Sequence, residues 1–210
     1  MKARDVSIEG PAGILEGMLL RSEHDSGKAA VLCHPHPNFG GSMHDRVLDV
    51  LSGVLLSHGI HCLRFNFRGV GASEGGFDGG TGESEDTLAA THWLNNELTP
   101  SGLWLGGYSF GAMTAWRASE PAQAQGIPIE QVVLIAPPAQ MGFEHHRGAQ
   151  SPLCIAVGDC DDLTSTEALN HWTQSIANPT RLIEIVGANH VFAGVWDDLG
   201  EELEQALFVQ

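Results

Sequence analysis

The sequence predicts an α/β domain, with a mostly parallel central sheet carrying helices on both faces. Three observations predict it. Short continuous apolar runs alternate with stretches of helical periodicity through most of the 210 residues. The runs are closed by glycine and proline, as buried parallel strands are. The loops that follow three of them carry a serine, a cluster of aspartates and a histidine, where an α/β sheet gathers its functional groups at the strand C-terminal ends.

The elements follow in order. Val6 to Glu9 alternates, Gly10-Pro11-Ala12-Gly13 turns, and Ile14 to Leu20 resumes, which predicts an antiparallel hairpin at a sheet edge. Ala29 to Cys33 is a buried strand that feeds His34-Pro35-His36-Pro37-Asn38-Phe39-Gly40-Gly41, a segment too rich in proline and glycine for regular structure. Asp45 to Ser57 has apolar residues at helical spacing, with Gly59 where a C-terminal cap belongs. Ile60 to Phe67 is the next strand. Arg68 to Gly82 is a long glycine-rich loop. Its Gly69-Val70-Gly71 start suggests a dinucleotide fingerprint, but position 74 is Glu and no helix opens within the motif. Glu83 to Leu98 predicts a helix with Leu88, Ala89, Trp93 and Leu94 on one side and with Asp78, Glu83, Glu85 and Asp86 as solvated or capping acids. Leu103 to Leu105 enters Gly106-Gly107-Tyr108-Ser109-Phe110-Gly111, and the helix from Ala112 is expected to stop before Pro121. Val132 to Ala136 and Leu153 to Val157 are strands, separated by an irregular segment that includes His145-His146. Ser165 to Ile176 is helical, Arg181 to Val186 a strand, and Val195 to Phe208 a last helix.

Composition bounds the function. With no linker, repeat or second compositional zone, residues 1–210 are expected to form one domain. The 10 Lys and Arg against 26 Asp and Glu give a net charge of −16, which repels nucleic acid and anionic membrane surfaces. Met1 to Gly10 has no apolar core of a signal peptide, and a cytoplasmic location is expected. Of the four cysteines, Cys33, Cys62 and Cys154 fall in apolar runs and Cys160 in a loop, without disulfide or metal spacing. His34 and His36, each beside proline and without a third clustered ligand, are expected to be structural rather than metal ligands. Neither a metal nor a cofactor is implied, and the oligomeric state is left open.

Chemistry is expected where a strand turns into a helix at Ser109. G-x-S-x-G at such a turn is a nucleophile elbow, which exposes the serine hydroxyl above a helix N-terminus. A serine hydroxyl needs a base, and the base needs an acid to orient it. Gly187-Ala188-Asn189-His190 supplies an imidazole after the last strand, and Gly158-Asp159-Cys160-Asp161-Asp162 supplies acids after the strand before it. Composition does not separate Asp159, Asp161 and Asp162. Asp161 lies far enough into the loop to point back toward His190, whereas Asp159 suits loop amides and Asp162 the start of a helix. The chain order Ser, Asp, His is that of the α/β-hydrolases.

On these residues the chain resembles the α/β-hydrolase superfamily, specifically its small, capless bacterial members with a His-Pro-His-Pro loop. The matching pieces are His34-Pro35-His36-Pro37 with Gly40-Gly41, Arg64 to Gly71 with Ser73, Gly107 to Gly111, Gly158 to Asp161, and Gly187 to His190. The resemblance implies an α/β-hydrolase fold without a lid domain. It implies Ser109 as nucleophile, His190 as general base and Asp161, fourth in the Gly-x-x-Asp loop, as the acid. It also implies an oxyanion hole from the backbone N–H of Phe110 and one from the His-Pro-His-Pro loop. There His36 is the candidate, because proline has no N–H. The expected substrate is a small acyl compound, an ester or thioester with a short acyl chain, cleaved through an acyl-enzyme. An amide or lactone hydrolase and a non-catalytic binding protein are the alternatives.

Overall fold

The computed structural model describes residues 2–138 and 147–209. The hairpin is β1 (Lys2–Gly10) and β2 (Gly13–Arg21), turned at Gly10 and Gly13. After it come β3 (Lys28–Cys33), α1 (Arg46–Ser57), β4 (His61–Phe65), α2 (Thr81–Leu98), β5 (Gly102–Tyr108) and α3 (Phe110–Ala124). The chain continues through β6 (Ile129–Ile135), β7 (Leu153–Gly158), α4 (Thr166–Thr173), β8 (Thr180–Ile185) and α5 (Trp196–Phe208). The strands form one sheet in the order β1-β2-β4-β3-β5-β6-β7-β8. β1 and β2 pair antiparallel, β2 pairs antiparallel with β4, and all later pairings are parallel.

The continuous apolar runs are continuous because helices cover both faces, and the two-residue period of a strand divides each run between two cores. In β3, Ala29, Val31 and Cys33 enter one core while Ala30 and Leu32 enter the other. The first core is closed by α2, α3 and α4 through Ala90, Leu94, Trp116, Leu169 and Trp172. The second is closed by α1 and α5 through Leu48, Leu51, Leu55, Leu199 and Leu203. α1 ends as its sequence predicts. Gly59, at φ 81°, lets its own amide bond Leu56 O and the Ile60 amide bond Leu55 O, the Schellman arrangement. The thiols of Cys33, Cys62 and Cys154 are buried, which pushes each up to about 12, and Cys160 is exposed.

Several expectations are corrected. Within the histidine-proline loop, Pro37–Phe39 forms one 3-10 turn, because a proline that lacks an N–H fits the first position of a helical turn. α3 passes through Pro121 instead of stopping before it. Pro121 stands in the last turn, where one backbone bond is lost. The Gly126 and Ile127 amides then bond the carbonyls of Gln123 and Ala122, closing the helix end. α4 is shorter than Ser165 to Ile176, and its cap is Ser165, whose side chain accepts from the Ala168 amide. Asp162 therefore caps nothing.

The inner face of α2 differs most. Leu88 and Trp93 are only partly buried, and the buried residues are Gly82, Glu83, Asp86, Thr87, Ala90, Thr91 and Leu94. Glu83 caps the helix by accepting from the amides of Asp78 and Gly80. Asp86 is no solvated acid. Both its oxygens accept from Arg68, with Nε at 3.1 and 3.0 Å and Nη2 at 2.7 Å, and Oδ2 also accepts the Arg68 amide at 3.0 Å. The hydrophobic period found Leu94 and, at the margin of the same core, Leu88 and Trp93, but it passed over the polar residues buried beside them, because Asp86 is held by a guanidinium. Of the segment from Pro137 to Ser151 that is expected to be irregular, residues 139–146, His145 and His146 among them, lie outside the described residues.

Candidate active site

Ser109 follows the last residue of β5 and precedes the first of α3, with φ 54° and ψ −119°. A side chain at either flanking glycine would prevent this turn. A Cβ at Gly107 would lie 2.2 Å from Gly111 O, and one at Gly111 would lie 2.1 Å from Cys33 O. The turn raises Ser109 Oγ above the C-terminal edge of the sheet.

The two later loops reach the same place because they are stitched together. The Asp159 amide donates to Ile185 O, the Cys160 amide to Ala188 O, and Asp159 Oδ1 accepts the Gly187 amide at 2.7 Å. Asp159 is thus a loop-bonding acid. His190 Nε2 stands 2.9 Å from Ser109 Oγ, and His190 Nδ1 stands 2.8 Å from Asp161 Oδ2. The Asp161 side chain is fully buried, and its other oxygen accepts the amides of Leu163 at 2.8 Å and Thr164 at 3.0 Å. A carboxylate can only accept, so Nδ1 of a neutral His190 carries the hydrogen and Nε2 presents its lone pair to the serine hydroxyl. Tyr108 donates its hydroxyl to His190 O at 2.9 Å and steadies the loop from below. Burial, helped by Asp45 and Asp161, pushes this phenol well above its ordinary range, so it stays a donor.

Beside the serine, the amides of Phe110 and His36 have no acceptor among the described residues. The His36 ring is held among Phe39, Phe77 and Phe110, and its Nδ1 accepts the Asn38 amide at 3.2 Å. A pocket of about 360 Å³ opens over these groups, lined by His36, Asp45, Tyr108, Ser109, Phe110 and His190 among others. Sequence reasoning missed Asp45 and Tyr108 as lining residues. Asp45 shows only a helix-cap pattern in the sequence, and nothing in that pattern tells which way its carboxylate faces.

His34 anchors the same loop from within. Its ring is buried, Nε2 accepts the Phe67 amide at 3.1 Å, and Nδ1 therefore donates to Pro35 O at 2.7 Å. Both ring nitrogens are committed, and among the described residues no group of three or more His, Cys, Asp or Glu could hold a metal ion. Burial pushes the His34 imidazole down to about 4. An imidazole in the unfolded chain takes its proton near pH 6.5, so between these values the unfolded state binds a proton that the folded state refuses. This contribution to stability is complete above about pH 6.5 and is lost as pH falls toward 4, about 3 kcal/mol in all. Urea unfolding at a series of pH values should therefore show a steeper acid loss in the wild type than in His34→Gln. Parallel curves would contradict a neutral buried imidazole.

Comparison with known proteins agrees with this fold. A family model described as X-Pro dipeptidyl-peptidase (S15 family) matches residues 18–141. An uncharacterized protein of Rickettsia prowazekii is 33% identical over 198 residues, covering 89% of this chain and 81% of its own. The structure of a lidless α/β serine hydrolase from Xanthomonas campestris superposes with a TM-score of 0.90 at 29% identity, covering 99% of this chain and 94% of that one. An α/β serine hydrolase homologue from Coxiella burnetii gives 0.89 at 34% identity, covering 99% and 98%. The class is thus an α/β serine hydrolase without a lid. Within it, the chain belongs to the X-Pro dipeptidyl-peptidase (S15) family. No helix among the described residues is long and apolar enough to cross a membrane.

Proposed function

We propose that the protein hydrolyses a carboxylic ester or thioester through an acyl-enzyme on Ser109. The observation that carries this reading is the unbroken relay from Ser109 Oγ to His190 to Asp161, at 2.9 and 2.8 Å. His190 Nε2 takes the hydroxyl proton as Oγ attacks the carbonyl carbon, and Asp161 stabilises the imidazolium that forms. The carbonyl oxygen, now negative, is received by the amides of Phe110 and His36 at the N-terminal end of α3, whose dipole favours the charge. His190 then returns the proton to the departing alcohol or thiol. Water, deprotonated by the same imidazole, releases the acid and restores Ser109. No step calls on a metal or cofactor, and the substrate is a small acyl compound, not nucleic acid or membrane lipid. The lidless pocket suits a short acyl chain.

A peptide or other amide bond is the second reading, favoured by the description of the matched family. A fluorophosphonate probe should label the wild type and leave Ser109→Ala unlabelled. Panels of acyl esters, acyl thioesters and X-Pro anilides would then rank the leaving groups, with esters or thioesters expected first. A wild type that neither labels nor turns over any of these would overturn the proposal in favour of a binding protein that keeps the fold.

A further inference from the structure

The pocket over Ser109 is unevenly furnished. Its rim is apolar and unusually exposed: Phe39 is 87% exposed, Leu163 55% and Val191 53%, and all three line the opening. Its floor is polar in only a few places. Apart from the two histidines, Asp45 is the one lining side chain among the described residues that can carry a charge.

Asp45 is held rigidly. It caps α1, its Oδ1 accepting the Val47 amide at 2.8 Å. No ion pair neutralises it among the described residues, although Arg64 lies near enough to favour its charged form. The nearby arginines, Arg46 and Arg64, both pair with Asp49, and no described residue forms an ion pair with Asp45. Burial pushes its carboxyl up, while the Val47 and Leu48 amides at the positive end of α1 favour the charged form. The surrounding chain, at −16, reinforces a negative potential in the pocket.

Resting on the hydrolase reading above, we propose that Asp45 sets the charge preference of this pocket. It favours a substrate that places an ammonium group, on a short apolar stem, inside the pocket, and it disfavours one that places a carboxylate or phosphate there. The apolar rim receives the stem, and the half-buried carboxylate meets the cation. At an effective dielectric between about 20 and 80, a unit charge about 7 Å from a carboxylate changes affinity by about threefold to fiftyfold.

The test uses three acyl esters of one alcohol, of matched size: pentanoyl, 4-aminobutanoyl and hemisuccinyl. In the wild type, kcat/KM for the ammonium ester should exceed that for the carboxylate ester by about tenfold or more, with the neutral ester between. In Asp45→Asn the ratio should collapse toward one. Asparagine caps a helix as well as aspartate does, so the variant removes charge while keeping the cap. An unchanged ratio would overturn the proposal, and so would a loss shared equally by all three esters, which would make Asp45 merely structural. If no ester is turned over, the hydrolase reading falls by itself. The charge preference is then read from dissociation constants of the same esters on Ser109→Ala, with and without Asp45→Asn. The same collapse is expected there, and its absence would reject the proposal.

Discussion

Asp161→Asn is expected to lower kcat by about four orders of magnitude while the protein stays folded, as loss of a triad acid does elsewhere. The amide would present either a donor to His190 Nδ1 or a weaker acceptor, so the imidazole would lose the tautomer that leaves Nε2 free for Ser109. Its neighbours separate the chemistry from the scaffold. Asp159→Asn weakens the bond that ties the β7 loop to the Gly187 amide, and it should act mainly on stability. Asp162→Asn should change little. Steady-state kinetics on the three purified variants, with circular dichroism to confirm folding, checks the order. Near-normal kcat in Asp161→Asn together with its collapse in either neighbour would move the acid to that neighbour.

The largest expected effect on stability lies away from the pocket, at Arg68 and Asp86. Both are buried, and the carboxylate accepts every close bond the guanidinium makes apart from a 3.6 Å contact to Glu85. Asp86→Ala should cost about 3 kcal/mol, because it leaves the buried Arg68 guanidinium without its hydrogen-bonded partner and with only the longer Glu85 contact. Replacing both partners together, Arg68→Met with Asp86→Leu, should cost less than the single change, since the charge then disappears with its partner. Urea unfolding of the two variants decides it. A double variant less stable than Asp86→Ala would mean that the pair contributes more by its bonds than it costs in lost hydration.

How far the sequence reveals the protein depends on which physical signal each part leaves. The strands are visible because a doubly covered sheet needs unbroken apolar runs, and the elbow is visible because only glycine tolerates the 2.2 Å and 2.1 Å approaches at positions 107 and 111. The loop histidine and the aspartates are visible as residue types at strand ends. What is hidden is direction. Asp86 and Asp45 both look like helix-start acids. One is turned inward onto Arg68 and the other lines the pocket from the cap of α1, a matter of tertiary packing that local pattern does not encode. Pro121 misleads for a related reason, since the closing bonds of Gly126 and Ile127 outweigh a single lost amide.

Position 109 also carries a consequence for how this protein responds to selection. A non-glycine residue held at φ 54° and ψ −119° costs of order 1–3 kcal/mol, so the residue that would do the chemistry is also one the fold would rather replace. Glycine there relieves the backbone and abolishes the hydroxyl. A library sorted by heat tolerance alone would therefore enrich inert molecules, and the serine persists only where turnover itself is what survives.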